Sequence, residues 1–131
     1  MVEEALVESQ VADAVELVKR LDTAGEAPSL VAWYFYDDAG AWRLVLAGPA
    51  FDALLPKNET VAYRKVVEAL ARSGVSSLSA ADVKLVGTQS PLPKAIRFLI
   101  TTPQNGFVRA RFANNYVDGI FIEEMLVLRS A

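Results

Sequence analysis

The residues best placed to do chemistry are a carboxylate, Glu124, and three arginines, Arg109, Arg111 and Arg129. They lie on two strand-like runs, 107–116 and 120–129, that flank Asp118-Gly119. A three-residue loop, Val117-Asp118-Gly119, puts Val108, Ala110, Phe112, Ile120, Ile122, Leu126 and Leu128 on one face. The other face then carries Arg109, Arg111, Glu123 and Arg129. A two-residue Asp-Gly turn would mix charged and apolar groups on both faces, so the three-residue register is expected. In it the three guanidinium forks could grip a carboxylate, a phosphate or an acidic partner. The plainer reading is a solvated sheet face, with Glu123 diagonal to Arg111. Glu124 would point to the apolar face near Phe112 and Asn114. Loss of water there raises a carboxyl pKa, as a general acid or base at neutral pH requires. Against that stand a place at the sheet rim, or hydrogen bonds from Asn114 or Tyr116. A register slip exchanges Glu123 and Glu124.

A second cluster is aromatic. Trp33, Tyr34, Phe35, Tyr36 and Trp42 place five of the twelve aromatic residues on one predicted hairpin around Asp37–Gly40. A three-residue loop sets Trp33 and Phe35 on a face with Arg43 and Val45; a four-residue loop sets Tyr34 and Tyr36 there instead. In both registers Arg43 lies beside an aromatic ring. One face must enter the core, and the other leaves at least two large rings to cover. Trp33, Tyr34, Tyr36, Trp42 and Arg43 are therefore the candidate interface residues, in the manner of an aromatic and arginine hot spot. Stacking of Arg43 on a ring is the internal alternative.

Other chemistries find little support. Without histidine or cysteine, the chain has no Ser-His triad, thiolate nucleophile, zinc ribbon or disulfide. Asp37-Asp38 with Glu123-Glu124 match no calcium-loop spacing, so no metal is expected. Ser90 and Lys94 share the spacing of a Ser-Lys pair, but Ser90 reads as a helix cap. The seven glycines form neither GxGxxG nor GxxxxGK. A net charge of −3 and a pI near 4.9 argue against a phosphate-tracking surface, although Arg64, Lys65, Arg72, Lys94 and Arg97 are available bases. No cofactor and no nucleic acid are expected.

The elements that must position these residues follow from periodicity. Val7, Val11, Ala14, Leu17, Val18 and Leu21 predict a helix over 3–22, closed by Gly25 and Pro28. Strands are predicted over 29–36 and 41–47. An apolar turn over Phe51–Leu55 precedes a helix from an Asn58 cap to about Arg72, with Val61, Val66, Val67 and Leu70 as core positions. A short strand over Val83–Val86 follows. Leu92, Ala95, Ile96, Leu99 and Ile100 then fit a helix opened by prolines, in competition with a strand over Ala95–Thr101. The order is α-β-β-α-β-α-β-β in one α+β domain over residues 1–131, with a mostly antiparallel five-stranded sheet packed against helices.

At 131 residues and 53% hydrophobic composition, the chain buries about two-thirds of its surface on folding and sustains a core unaided. Residues 1–26 hold seven acids and two bases, whereas 27–131 hold nine acids and eleven bases. That asymmetry suits an acidic first helix docked on a basic body, or facing a basic partner. The acidic start lacks a secretory pattern and no stretch is long enough to span a bilayer, so a cytoplasmic, membrane-free protein is expected. The reading favoured is a non-catalytic interaction module that self-associates or binds a protein. The alternative is a small-molecule-binding domain, or a histidine-free hydrolase or isomerase, using Glu124 with Arg109 or Arg111.

Overall fold

The computed structural model describes Leu6 and residues 8–131. The predicted helix start at Glu3 and the core position Val7 lie outside the described residues. The elements are α1 (Glu8–Thr23), β1 (Leu30–Tyr36), β2 (Ala41–Ala47), α2 (Pro49–Asp52), α3 (Glu59–Ser73), β3 (Val83–Leu85), α4 (Pro91–Leu99), β4 (Ala110–Val117) and β5 (Ile120–Ser130). A single 3-10 turn, Ala80–Asp82, leads into β3.

The five strands form one sheet in the order β3-β2-β1-β5-β4. Three neighbouring pairs are antiparallel, but β3 runs parallel to β2, so the sheet is mixed rather than mostly antiparallel. The physical reason is the connection. A parallel neighbour needs a crossover, and α2 with α3 supply it between β2 and β3. Asn58 does occupy the cap position of α3, although its side chain makes no capping bond, and Gly74 closes that helix in the left-handed conformation at φ 71°.

Both faces of the sheet are covered, by different helices. Val31, Trp33 and Phe35 of β1, Trp42, Leu44 and Leu46 of β2, and Leu126 and Leu128 of β5 pack against α1, α2 and α3. Leu30, Ala32, Val45, Ala47, Met125 and Val127 pack with Ala95 and Ile96 of α4 on the second face. Alternation along each strand produces this division, since successive side chains point to opposite sides. Val61 and Val67, predicted core positions of α3, are exposed; Ala62, Val66 and Ala69 form the buried stripe instead.

The acidic first helix docks on basic residues of the body. Glu8 pairs with Arg109, Asp22 with Arg129, and Glu26, just beyond the helix, with Lys65. Asp13 accepts hydrogen bonds from the amide and hydroxyl of Ser77, which hold its carboxyl below the ordinary value.

Candidate interaction surface

Two hairpin registers decide where the candidate residues fall. In β1–β2, Tyr36 faces Ala41 and Tyr34 faces Arg43, the four-residue alternative around Asp37–Gly40. Trp33, Phe35 and Trp42 therefore enter the core, with exposures of 0%, 3% and 7%. This removes Trp33 and Trp42 from the interface candidates. Phe35 and Trp42 stack edge to face instead, at a centroid distance of 5.6 Å.

In β4–β5, Val117 faces Ile120 across a two-residue Asp118-Gly119 turn, not a three-residue loop. Both turn residues have positive φ, 48° and 81°, the conformation that matches the twist of paired strands. The objection to this register was mixed faces, and Asn114 answers it. Its φ of 51° turns the strand, so Val117 and Ile122 join the α4-side core although strict alternation would send them elsewhere. The two-residue turn also sets Glu124 opposite Ala113, away from Phe112, and its carboxylate takes a hydrogen bond from Arg111 Nη1 at 2.9 Å. Its side chain is 32% exposed and already ion-paired with that guanidinium. The desolvated acid or base expected from the other register is absent at this position.

The three strand arginines do share the α1 side, but each is engaged. Arg109 Nη2 lies 2.6 Å from Glu8, and Arg111 pairs with Glu124. Arg129 is fully buried and bidentate to Asp22, with both bonds at 2.9 Å. It reaches that side through a bulge: Val31 faces Arg129 and Ala32 faces Val127, leaving Leu128 as the extra residue. Bonds from Arg129 to the carbonyls of Gly106 and Pro28, and a Phe107 ring 4.5 Å away, complete its surroundings. An incoming anion finds these forks occupied.

Rings remain partly covered where the first hairpin meets the last, as the Tyr34 and Tyr36 side chains pack against the second core cluster. Helix α4 crosses the second face, with Lys94, Arg97 and Phe98 beside Asp118 of the last hairpin's turn. The chain approaches it from Val86, whose amide bonds Leu46, and departs to Thr102, whose amide bonds Ser130. Tyr34 and Tyr36 are half-buried, with ring centroids 4.8 Å apart, and Lys84 Nζ lies 4.6 Å from the Tyr36 ring centre. Thus the cation over a tyrosine ring is Lys84; Arg43 is half-buried across from Tyr34 and donates to the Trp42 carbonyl. The Tyr34 hydroxyl donates to the Phe121 carbonyl at 3.4 Å.

Together Tyr34, Tyr36, Asp37, Asp38, Phe121 and Glu123 line a cleft of about 290 Å³. Burial pushes both tyrosine pKa values up, reinforced by Tyr36 and Glu123 at Tyr34 and by Asp38 at Tyr36, so both phenols are neutral at physiological pH. Comparison with known protein families, with characterised proteins and with solved structures gives no match.

Beside the cleft, Tyr116 and Phe121 stack with centroids 4.9 Å apart, at exposures of 78% and 47%. Phe98 on α4 is 77% exposed. These three rings were not among the predicted interface residues. Tyr116 and Phe121 were within reach of sequence reasoning, because a two-residue Asp-Gly turn pairs them across the hairpin. Among the described residues, no group of three or more Asp and Glu converges as a metal site. No helix among them is long and apolar enough to cross a membrane.

Proposed function

We propose that this chain is a protein-interaction module that engages its partner through the exposed rings where the β1–β2 and β4–β5 hairpins meet. The observation that carries this reading is the run of incompletely covered rings, Tyr36, Tyr34, Phe121 and Tyr116, beside the acidic cleft. Exposed aromatic rings next to fixed charges favour a protein surface, where they become the buried anchors of an interface. The pairing of Glu124 with Arg111 weighs against an enzyme built on those two groups, since each already satisfies the other.

Sheet edges support the same side. At one edge β3 has only three residues, and the Leu85 amide donates to the Tyr63 hydroxyl. At the other edge β4 has eight residues, mostly exposed, interrupted by the turn of backbone at Asn114. Short or capped edges resist pairing with other chains, whereas a longer edge beside exposed rings adds hydrogen-bonding capacity to an interface.

The test is native mass spectrometry on protein purified gently from its own cells, compared with a Tyr116→Lys/Phe121→Lys variant. A second copy or a stoichiometric second protein is expected with the wild type and lost in the variant. A bare chain of 14.2 kDa in both samples, or a small adduct alone, would overturn the reading.

A further inference from the structure

We infer that the crevice at the carboxyl ends of β2 and β3 binds the vicinal diol of an unphosphorylated sugar, with the Asp52 carboxylate accepting both hydroxyls. This goes beyond the interaction surface and does not depend on it. Strand β2 ends at Ala47, opposite Leu30, whereas Tyr34 and Tyr36 sit toward the other end of the same strand pair.

Topology places the crevice. Strands β2 and β3 are neighbours and run parallel, so their carboxyl ends lie side by side. From β2 the chain passes into α2 and α3, whose Phe51, Ala62, Val66 and Ala69 pack on the α1 side of the sheet. From β3 it passes into α4, whose Ala95 and Ile96 pack on the second face. Neighbouring parallel strands whose connections leave to opposite faces open a crevice between those connections, and open sheets bind ligands there. This one measures about 470 Å³, in the range of a small-molecule site. Asp52, Leu55 and Pro56 line it from the first connection, and residues 87–90 from the second.

The chemistry follows from the lone pairs left open. Asp52 is half-buried and has no cation at ion-pair distance among the described residues. Its Oδ1 accepts the Thr88 amide at 2.9 Å and its Oδ2 accepts the Thr88 hydroxyl, which fixes the carboxylate. A carboxylate has about four lone-pair positions, so acceptor capacity remains on both oxygens. The Ser90 hydroxyl donates to the Gly87 carbonyl. With the Thr88 and Ser90 protons both engaged, these hydroxyls have only lone pairs to offer, and the crevice calls for a ligand rich in O–H donors. A vicinal diol carries two, side by side, for the two oxygens of one carboxylate. Leu55 and Pro56 supply an apolar wall for the C–H face of the sugar ring. Charge disfavours the alternatives. A phosphate would meet Asp52, and the first turn of α4 offers it little, because Pro91 and Pro93 have no amide hydrogen and the Lys94 amide bonds the Ser90 carbonyl. An ammonium would sit against the positive end of α4, which starts beside the crevice at Pro91.

Amide NMR titration of the full chain tests the site with two probes, adenosine and methyl β-D-ribofuranoside, each beside its 2-deoxy counterpart. Saturable shifts are expected at Asp52, Thr88 and Ser90 in the low-millimolar range, with none at Tyr34 or Tyr36. Removing the 2-hydroxyl is expected to weaken binding about 10-fold or more, the effect of losing one hydrogen bond to a charged acceptor. Asp52→Asn, verified as folded by thermal unfolding, should lose a similar factor. The deoxy comparison is made on the wild type and so stands apart from any effect of the variant on folding. Equal affinity for the furanoside and adenosine assigns the site to a free pentose; tighter adenosine assigns it to a nucleoside.

Equal binding of the hydroxyl and deoxy probes, shifts away from Asp52 and residues 87–90, or no saturation by either probe at about 5 mM overturns the diol site. None of these outcomes touches the interaction module, whose rings lie at the other end of the β1–β2 pair.

Discussion

Replacing Asp22 with asparagine tests whether Arg129 is a structural cation rather than a ligand-binding one. The wild-type guanidinium has no exposed surface and makes two charge-assisted bonds to a carboxylate that is itself only 17% exposed. Removing the negative charge leaves a buried cation held by the Gly106 and Pro28 carbonyls and the Phe107 ring. Breaking a buried pair from one side costs about 3–5 kcal/mol, because the surviving charge has no compensation. The exposed Arg109–Glu8 pair, by contrast, is worth at most about 1 kcal/mol.

In urea, with a slope of about 2 kcal/mol per molar for a domain of this size, the Asp22→Asn midpoint should fall by roughly 2 M. Glu8→Gln should move it by less than about 0.5 M. The double variant Asp22→Asn/Arg129→Met should be more stable than Asp22→Asn alone, since the unpaired charge is gone and an apolar chain fills the space. Equal shifts for Asp22→Asn and Glu8→Gln, or additive losses in the double variant, would refute the reasoning.

Two smaller predictions follow from local geometry. At Asn114, whose φ of 51° suits asparagine or glycine, Asn114→Gly should leave the unfolding midpoint nearly unchanged. Asn114→Val should cost about 1–2 kcal/mol, as a branched side chain does in the left-handed region; equal effects of the two would contradict the role given to this residue. For Asp13, Ser77 lowers the carboxyl pKa in the folded state, so the contribution is present above the unfolded value and lost as pH falls through the lowered one. Ser77→Ala should thus cost about 1 kcal/mol at pH 7, with the gap to wild type closing below about pH 4 in pH-dependent unfolding. A gap that persists undiminished into strong acid would count against the linkage.

Much of this architecture was legible in the residues. Spacing of Val11, Ala14, Leu17, Val18 and Leu21 placed α1, and the proline-opened pattern of Leu92, Ala95 and Ile96 favoured the helix that α4 forms over a competing strand. The acidic excess of the first helix was visible, and the structure shows it docked on Arg109 and Arg129. Less legible was anything that depended on a single backbone irregularity. The two-residue turn moved Glu124 from beside Phe112 to opposite Ala113, and alternation assumes a regular strand, so the left-handed Asn114 and the bulge at Leu128 went unforeseen. The aromatic hairpin was recognised as dense, but its two registers differed only in loop length. The observed one buries Trp33 and Trp42 and leaves Tyr34 and Tyr36 at the surface. Phe98 gave no signal, since a phenylalanine within an amphipathic helix ordinarily marks its buried side.

The most direct measurement is an amide NMR dilution series on the full chain from about 10 to 500 μM, a range spanning micromolar association. Concentration-dependent shifts are predicted at Tyr34–Ala39 and at Tyr116–Glu123, with none around Val61 and Val67 on the outer side of α3. Shifts centred on α3, or spectra of a 14.2 kDa monomer unchanged across the series, would contradict self-association through these rings.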